Sequence, residues 1–206
     1  MKKYKTEQEK FWAEKFGTEY IERNKSAEIL NQNVFLFSRI LSKMEKIKSA
    51  IEYGANIGLN LRALRTLIPD VELSAVEINK DAVKELKKIE AIKVFNKSIL
   101  DFQIDRPRDF ALIKTVLIHL NPEMLNQVYE LLYESSRKYI CIAEFYNPVP
   151  VEINYRGFSE KLFKRDFAGE MLDKYDDLKL VDYGFCYHRD IHFPKTDITW
   201  FLMEKI

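Results

Sequence analysis

Cysteine is scarce in this chain, and neither sign of charge dominates it. Cys141 and Cys186 are the only cysteines, each inside an apolar run, so a disulfide framework is excluded and no Cys/His cluster has zinc spacing. Lysine and arginine total 33 against 32 aspartates and glutamates, for a net charge of +1. Such a balance favours neither nucleic acid nor an anionic membrane as a partner.

Long apolar runs are also absent. None approaches the roughly 20 residues that cross a bilayer, and residues 1–12 lack the apolar stretch of a secretory signal. We therefore expect a cytoplasmic protein without a membrane span. Hydrophobic residues still make up 47% of the 206, which is enough for the core of one domain with an appendage.

The hydrophobic period changes near residue 48. Residues 6–48 have the period of helices, interrupted at Gly17, and predict a helical lid or appendage over 1–48. From 49 to 206, short apolar strands alternate with helical segments, which predicts a doubly wound, mostly parallel sheet with an antiparallel edge strand. We expect an irregular segment over 147–169. The predicted strands are 50–53, 71–77, 92–96, 110–118, 139–145, 178–187 and 198–203.

Two of the six glycines fall in one turn. The first predicted strand ends in Glu52-Tyr53-Gly54-Ala55-Asn56-Ile57-Gly58, and a helix follows at once. Gly54 permits a tight turn, and Gly58 allows the helix to pack closely on the strand. Glu77, at the end of the second strand, can accept both hydroxyls of a ribose. Because the turn lacks the Gly-x-Gly-x-x-Gly spacing of dinucleotide sites, the pattern favours a different nucleotide cofactor.

The acidic-x-Gly-x-x-x-Gly turn resembles motif I of class I S-adenosylmethionine-dependent methyltransferases, which often have glycine where this chain has Asn56. The resemblance implies a Rossmann-like fold and S-adenosyl-L-methionine as cofactor. It also places Ser98 at the junction after the third strand, where the family commonly has an acidic side chain against adenine. The implied cofactor-binding residues are Glu52, Gly54, Ala55, Asn56, Gly58, Glu77, Ser98, Ile99 and Thr115.

A further resemblance extends along nearly the whole chain. The segments that carry it are Phe11-Trp12, Phe16-Gly17, Tyr20-Ile21, Arg23-Asn24, 52–58, 143–148, 163–170 and 182–190. They resemble the methylases associated with pseudaminic acid biosynthesis, which are class I methyltransferases found with nonulosonic-acid sugar genes. This resemblance implies methyl transfer to an oxygen or nitrogen of a sugar or sugar-derived acid in surface-polysaccharide biosynthesis. The implied partner is a small-molecule sugar or nucleotide-sugar substrate, and no metal is required.

Ligands of a doubly wound sheet bind at the carboxyl ends of its strands. Since the first three ends serve the cofactor, those of the fourth and fifth predicted strands are left for the acceptor. His119 and Glu144 are the candidate catalytic bases there. Tyr20, Arg23 and Asn24 are candidate lid contacts to the cofactor. The residues that we expect to bind substrate are Tyr146, Asn147, Arg156, Arg165 and His188.

Other functions stay open at this level. The acceptor could be another small molecule, such as a lipid or secondary metabolite. The chain could instead be a non-catalytic nucleotide-binding subunit of a polysaccharide-assembly complex. A nucleic-acid methyltransferase is disfavoured by the balanced charge and by the lack of an Asn/Asp-Pro-Pro-Tyr signature at the fourth strand. The sequence determines neither the methylated atom nor the oligomeric state.

Overall fold

The computed structural model describes residues 4–23 and 26–206, so Asn24 lies outside the described residues. The helices are α1 (Glu7–Ala13), α2 (Lys15–Arg23), α3 (Ala27–Leu41), α4 (Leu59–Leu67), α5 (Lys80–Leu86), α6 (Leu125–Ser135) and α7 (Phe167–Lys174). The strands are β1 (Ser49–Tyr53), β2 (Glu72–Val76), β3 (Ile92–Phe95), β4 (Arg108–Lys114), β5 (Ser136–Glu144), β6 (Val151–Glu152), β7 (Phe163–Lys164), β8 (Leu178–Cys186) and β9 (Ile198–Lys205). Short 3-10 turns cover Leu117–His119 and Pro122–Met124.

Seven strands form one sheet in the order β3-β2-β1-β4-β5-β9-β8. Strands β1 to β5 are parallel, while β9 runs antiparallel to β5 and the edge strand β8 runs antiparallel to β9. This confirms the predicted mostly parallel sheet with antiparallel pairing at its edge. The topology brings the carboxyl ends of β1, β2, β3 and β4 together at one edge of the sheet, where ligands of such folds bind.

Helices pack on both faces of the sheet. On one face, Phe37 of α3 and Leu64 of α4 pack against Leu73 and Leu112 of the strands. On the other face, α6 and α7 pack against a second buried cluster that includes Ile51 and Ile113. Helix α3 is therefore part of the sheet's packing, and the domain division at residue 48 stays a prediction. None of the helices within 4–23 and 26–206 is both long and apolar enough to cross a membrane.

The N-terminal helices break at Glu14 and not at the predicted Gly17. Gly17 lies inside α2, where a Cβ atom would stand 1.8 Å from the backbone oxygen of Trp12. Glycine at this position therefore allows α2 to approach the end of α1 closely. A glycine in a helical pattern suggests a break in the helix, and the sequence alone does not show that it serves this close approach instead.

One predicted strand end in the second half of the chain was wrong, and the predicted irregular segment contains a short pair of strands. The strand predicted over 110–118 ends at Lys114, because Thr115 adopts a φ of +53° and a 3-10 turn follows. Val116 to Ile118 form an apolar run because they pack in the core, and an apolar run alone does not distinguish a strand from a buried turn. The segment 147–169 contains the hairpin of β6 and β7, whose strands are too short to leave a period of two.

Candidate cofactor and acceptor site

A cavity lies at the carboxyl ends of the first four strands. The loops after these strands form one side of it, and helices α1, α2 and α3 line the other. The strand ends and the segments after them contribute Gly54, Ala55, Asn56, Asn60 of α4, Glu77, Ser98, Ile99, Lys114, Thr115 and His119, and the N-terminal helices contribute Gln8, Glu9, Trp12, Gly17, Tyr20 and Asn33. The structure thus brings seven of the nine predicted cofactor-binding residues to one cavity, whereas Glu52 and Gly58 do not line it.

The turn after β1 depends on backbone that glycine adopts readily. Gly54 has a φ of +70°, and a Cβ atom there would lie 2.5 Å from a methyl of Val116. Gly58 has a φ of +79°, but the atom its Cβ would meet at 2.5 Å belongs to Ile89, beyond α5. The glycine thus makes room for Ile89 and Leu86 beside the turn, and its role in packing α4 on β1 stays a prediction. Asn56 is also left-handed, with a φ of +48°, which asparagine tolerates better than most residues.

Glu77 lines the cavity directly after β2 and is almost fully buried. One carboxylate oxygen accepts the backbone N–H of Asn56 at 2.7 Å, and the other accepts that of Asn79, also at 2.7 Å. Burial raises the pKa of Glu77, although both hydrogen bonds act in the opposite direction. The backbone N–H of Ile78 also acts on this carboxylate, and since a carboxylate has about four acceptor positions, Glu77 keeps capacity for a further donor.

Three buried oxygens beside the glycine turn accept no hydrogen bond from any described residue. They are Glu52 Oε2, Asn56 Oδ1 and Asn60 Oδ1. Asn60 donates its Nδ2 hydrogen to the other oxygen of Glu52, which links the two side chains. Burial raises the pKa of Glu52 to about 8. Buried polar atoms are normally satisfied, so this cluster of acceptors fits a ligand that carries several N–H donors.

The remaining predicted cofactor contacts lie after β3 and β4. Ser98 is buried, accepts the backbone N–H of Leu100 at 3.0 Å, and donates its hydroxyl to Glu9 of α1. Thr115 lines the cavity with its backbone in the left-handed region, at a φ of +53°, and donates its hydroxyl to the Lys114 carbonyl at 2.8 Å.

His119 reaches the same cavity from the 3-10 turn after β4. Its Nδ1 lies 2.6 Å from the Lys161 carbonyl oxygen, and because a carbonyl only accepts, Nδ1 carries the proton. The ring packs between Trp12, at 4.6 Å between centroids, and Tyr155, at 4.9 Å. Burial lowers the pKa of His119 to about 4. At neutral pH the imidazole is therefore uncharged, with Nε2 as its free lone pair.

Glu144 lies behind the cavity wall and is not among the residues that line it. Its Oε1 accepts the backbone N–H groups of Val116 at 2.8 Å and Leu117 at 2.9 Å, at the start of the turn that carries His119. Its Oε2 has no partner among the described residues, and burial raises the pKa of Glu144 to about 8. This geometry fits a residue that holds the His119 turn in place.

The predicted substrate residues do not line this cavity. Tyr146 is 41% exposed and packs near Phe201, and Asn147 donates to the Val149 carbonyl at 2.6 Å. Arg165 forms an ion pair with Glu170. Arg156 and His188 are also on the surface. Arg156 stacks over the Tyr155 ring, and His188 Nδ1 lies 2.8 Å from a carboxylate oxygen of Asp197.

Searches of known protein families and of curated proteins find no match to this chain. Solved structures do match. A SAM-dependent methyltransferase of Leishmania major aligns with a TM-score of 0.74 and 13% identity over 96% of this chain and 81% of that one. The 1,6-didemethyltoxoflavin N1-methyltransferase of Burkholderia thailandensis, solved with S-adenosylhomocysteine, aligns with a TM-score of 0.67 and 12% identity over 92% and 83%.

An S-adenosylmethionine-dependent methyltransferase of Clostridium acetobutylicum aligns as well, with a TM-score of 0.65 and 11% identity over 92% of this chain and 97% of that one. This chain has the fold of class I methyltransferases. The expected fold class is therefore confirmed, whereas nothing in these comparisons connects the chain to the methylases of pseudaminic acid biosynthesis.

Several residues that line the cavity were not predicted from the sequence. Asn60 had a usable signal, since a polar residue on the first turn of the helix after the glycine motif faces the same ligand space. Glu9 had none, because its contact with Ser98 joins residues 89 positions apart. Trp12 Nε1 is buried without a partner among the described residues, and Lys114 lines the cavity at the end of β4.

Proposed function

We propose that this chain is an S-adenosylmethionine-dependent methyltransferase that acts on an oxygen or nitrogen of a sugar or sugar-derived acid. The fold supports a methyltransferase, and the cluster of unsatisfied oxygens at Glu52, Asn56 and Asn60 is the observation that carries the cofactor assignment. The sugar acceptor rests on the sequence resemblance, because the structural neighbours are named for unrelated acceptors such as toxoflavin precursors and glycopeptides.

The residues present fit this cofactor. The unsatisfied oxygens of Asn56 and Asn60, which line the cavity, match the ammonium of its methionine portion, and Glu52 orients Asn60 through their hydrogen bond. Glu77 would accept the ribose hydroxyls with its remaining acceptor capacity. Ser98 and Ile99 would contact the base at the end of β3. A dinucleotide fits less well, because Gly54 and Gly58 lack the spacing that admits a pyrophosphate.

When bound, S-adenosylmethionine supplies a methyl group on a sulfonium, which is already a strong methyl donor. The protein must then align the acceptor, exclude water and, for a hydroxyl acceptor, remove a proton. His119 is the candidate for the last task, because the bond to Lys161 keeps the proton on Nδ1 and leaves Nε2 unprotonated at neutral pH, although its low pKa makes it a weak base. Trp12 and Tyr155 hold the ring on both sides and shield it from water.

Glu144 would act as a positioning residue through its hold on the His119 turn. The substrate roles of Tyr146, Asn147, Arg156, Arg165 and His188 remain predictions, and all five side chains would have to be reached by an acceptor that extends beyond the cavity. Arg165 would have to exchange its ion pair with Glu170 for a contact with substrate.

Methyl transfer from labelled S-adenosylmethionine to a panel of nucleotide-activated sugars and free sugar acids tests the proposal. We expect His119→Asn to lower turnover by about 10²–10⁴ with little change in S-adenosylhomocysteine binding, since a base acts in the chemical step. Because the pKa of His119 is about 4, turnover should rise with pH below about 5 and stay level from pH 6 to 8.

His192→Asn is the matched control, since His192 lies exposed in the loop before β9. It should retain full turnover. Wild-type protein that fails to bind S-adenosylhomocysteine in calorimetry would contradict the cofactor assignment. Protein that binds the cofactor but methylates lipid or aromatic acceptors in place of sugars would contradict only the proposed sugar acceptor.

A further inference from the structure

Glu9 connects the N-terminal helix α1 to the loop after β3. One of its oxygens accepts the hydroxyl hydrogen of Ser98, and both side chains are buried and line the cavity. The other oxygen accepts the backbone N–H groups of Lys5 at 2.6 Å and Thr6 at 3.0 Å, in the capping box of α1. These bonds fix the orientation of the carboxylate relative to the cavity.

The same end of α1 is anchored to this loop by a second residue. The Lys5 ammonium donates to the Leu100 carbonyl at 2.6 Å and lies 2.7 Å from a carboxylate oxygen of Asp101. Gln8, one residue before Glu9, donates to the Glu160 carbonyl at 2.9 Å. Helix α1 therefore presents Glu9 to the cavity in one defined position.

The position of Glu9 along the cavity indicates which part of a nucleoside it would meet. The turn at Asn56 and Asn60 offers acceptors for an ammonium, Glu77 follows at the end of β2, and Ser98 follows at the end of β3. A ribose on Glu77 puts the attached base beside Ser98 and Glu9. Three of the roughly four acceptor positions of the Glu9 carboxylate are in use, so one remains on the oxygen that faces Ser98.

We propose that Glu9 recognises the exocyclic amine of adenine, so that a residue of the N-terminal helix determines the specificity of the site for the base. This inference rests on the proposed function. Ser98 supplies no carboxylate, and the hydrogen of its hydroxyl is given to Glu9. Glu9 thus provides the negatively charged acceptor, and Ser98 orients it.

A base analogue tests this specificity. Replacing the adenine of S-adenosylhomocysteine by hypoxanthine changes the exocyclic amine, a donor, to a carbonyl, an acceptor, and changes N1 from an acceptor to an N–H donor. Wild-type protein should bind the adenine form at least about tenfold more tightly in calorimetry, because the carbonyl would face a carboxylate. Glu9→Gln should reduce that preference to about threefold or less, since an amide can rotate to donate to the carbonyl.

Glutamine also serves in a capping box, so Glu9→Gln preserves the start of α1. Glu7→Gln changes an exposed carboxylate of the same turn and should keep the wild-type preference. Wild-type protein that binds both analogues equally, or a Glu9→Gln variant that keeps the full preference while both affinities fall together, would overturn the inference. Either result leaves the proposed function intact, because its cofactor assignment is contradicted by a failure of wild type to bind S-adenosylhomocysteine and its acceptor by the acceptor panel.

Discussion

The two ends of the site differ in how their polar side chains are held. At the cofactor end, Glu77, Asn56 and Asn60 line the cavity, and the buried Oδ1 atoms of the two asparagines lack partners among the described residues. At the predicted acceptor end, Arg165 and His188 lie outside the cavity and are paired with carboxylates of their own loops and helices. Side chains with unsatisfied acceptors in a cavity are prepared for a ligand, whereas paired surface side chains need no ligand to be stable.

The same two ends differ in how well the sequence predicts them. The glycine turn and Glu77 follow from spacing because their geometry is local to consecutive strand ends of a parallel sheet. The same local logic predicted the sheet and its antiparallel edge. The acceptor end depends on an insert, β6 and β7 with their connecting loop, whose position relative to α1 and His119 is set by tertiary contacts such as the bond from His119 to Lys161.

His119 and Glu144 show what the sequence does not reveal about the residues around one turn. Both stood out as titratable residues near strand ends, but only the structure separates a side chain that lines the cavity from one that holds the backbone behind it. The sequence carried no signal for this separation, since the direction of each side chain depends on the end of β4 at Lys114 and the strained Thr115.

At the cofactor end, we expect the largest loss of affinity from a substitution at Gly54. We expect Gly54→Val to lower S-adenosylhomocysteine affinity by at least about 100-fold, roughly 2.7 kcal/mol. The new side chain would occupy a left-handed backbone position and collide with Val116, which lies at the cavity. Isothermal calorimetry measures the loss, and circular dichroism verifies the fold.

Gly157→Val is the matched control for Gly54→Val. Gly157 has a similar φ of +87°, but a Cβ atom there would have no neighbouring atom within 4 Å, so the substitution shares the backbone strain without the collision. Equal affinity of the Gly54→Val and wild-type proteins would mean that the turn does not bind the cofactor.

A smaller loss should follow from Glu77→Ala. Removing a carboxylate that accepts ribose hydroxyls should reduce affinity by at least roughly tenfold, since charge-assisted hydrogen bonds are each worth about 1.5–3 kcal/mol. Glu90→Ala is the matched control. It removes an exposed carboxylate that follows α5, the helix after Glu77, and should leave affinity unchanged. NADH should not displace the cofactor, and tight competition by a dinucleotide would reverse the choice of nucleotide.

The smallest expected effect distinguishes the two interpretations of Glu144. Glu144→Gln keeps an oxygen for the N–H groups of Val116 and Leu117, so turnover should change by less than about threefold. Glu144→Ala leaves both N–H groups without an acceptor and should cost about 1–3 kcal/mol of unfolding free energy, with a clear loss of turnover through the displaced His119 turn. A loss of about 10² or more in Glu144→Gln would instead identify Glu144 as a proton acceptor.

The pH dependence of stability sharpens this last comparison. Burial raises the pKa of Glu144 from 4.5 to about 8, so between these values the folded protein holds a proton that the unfolded chain has released. The contribution of this group to stability is therefore complete below pH 4.5 and is lost as pH rises toward 8. Glutamine does not titrate. Chemical denaturation should find Glu144→Gln and wild type close in stability at about pH 4.5, with the variant gaining relative to wild type up to about pH 8, and a constant difference across this range would show that Glu144 does not titrate as a buried acid.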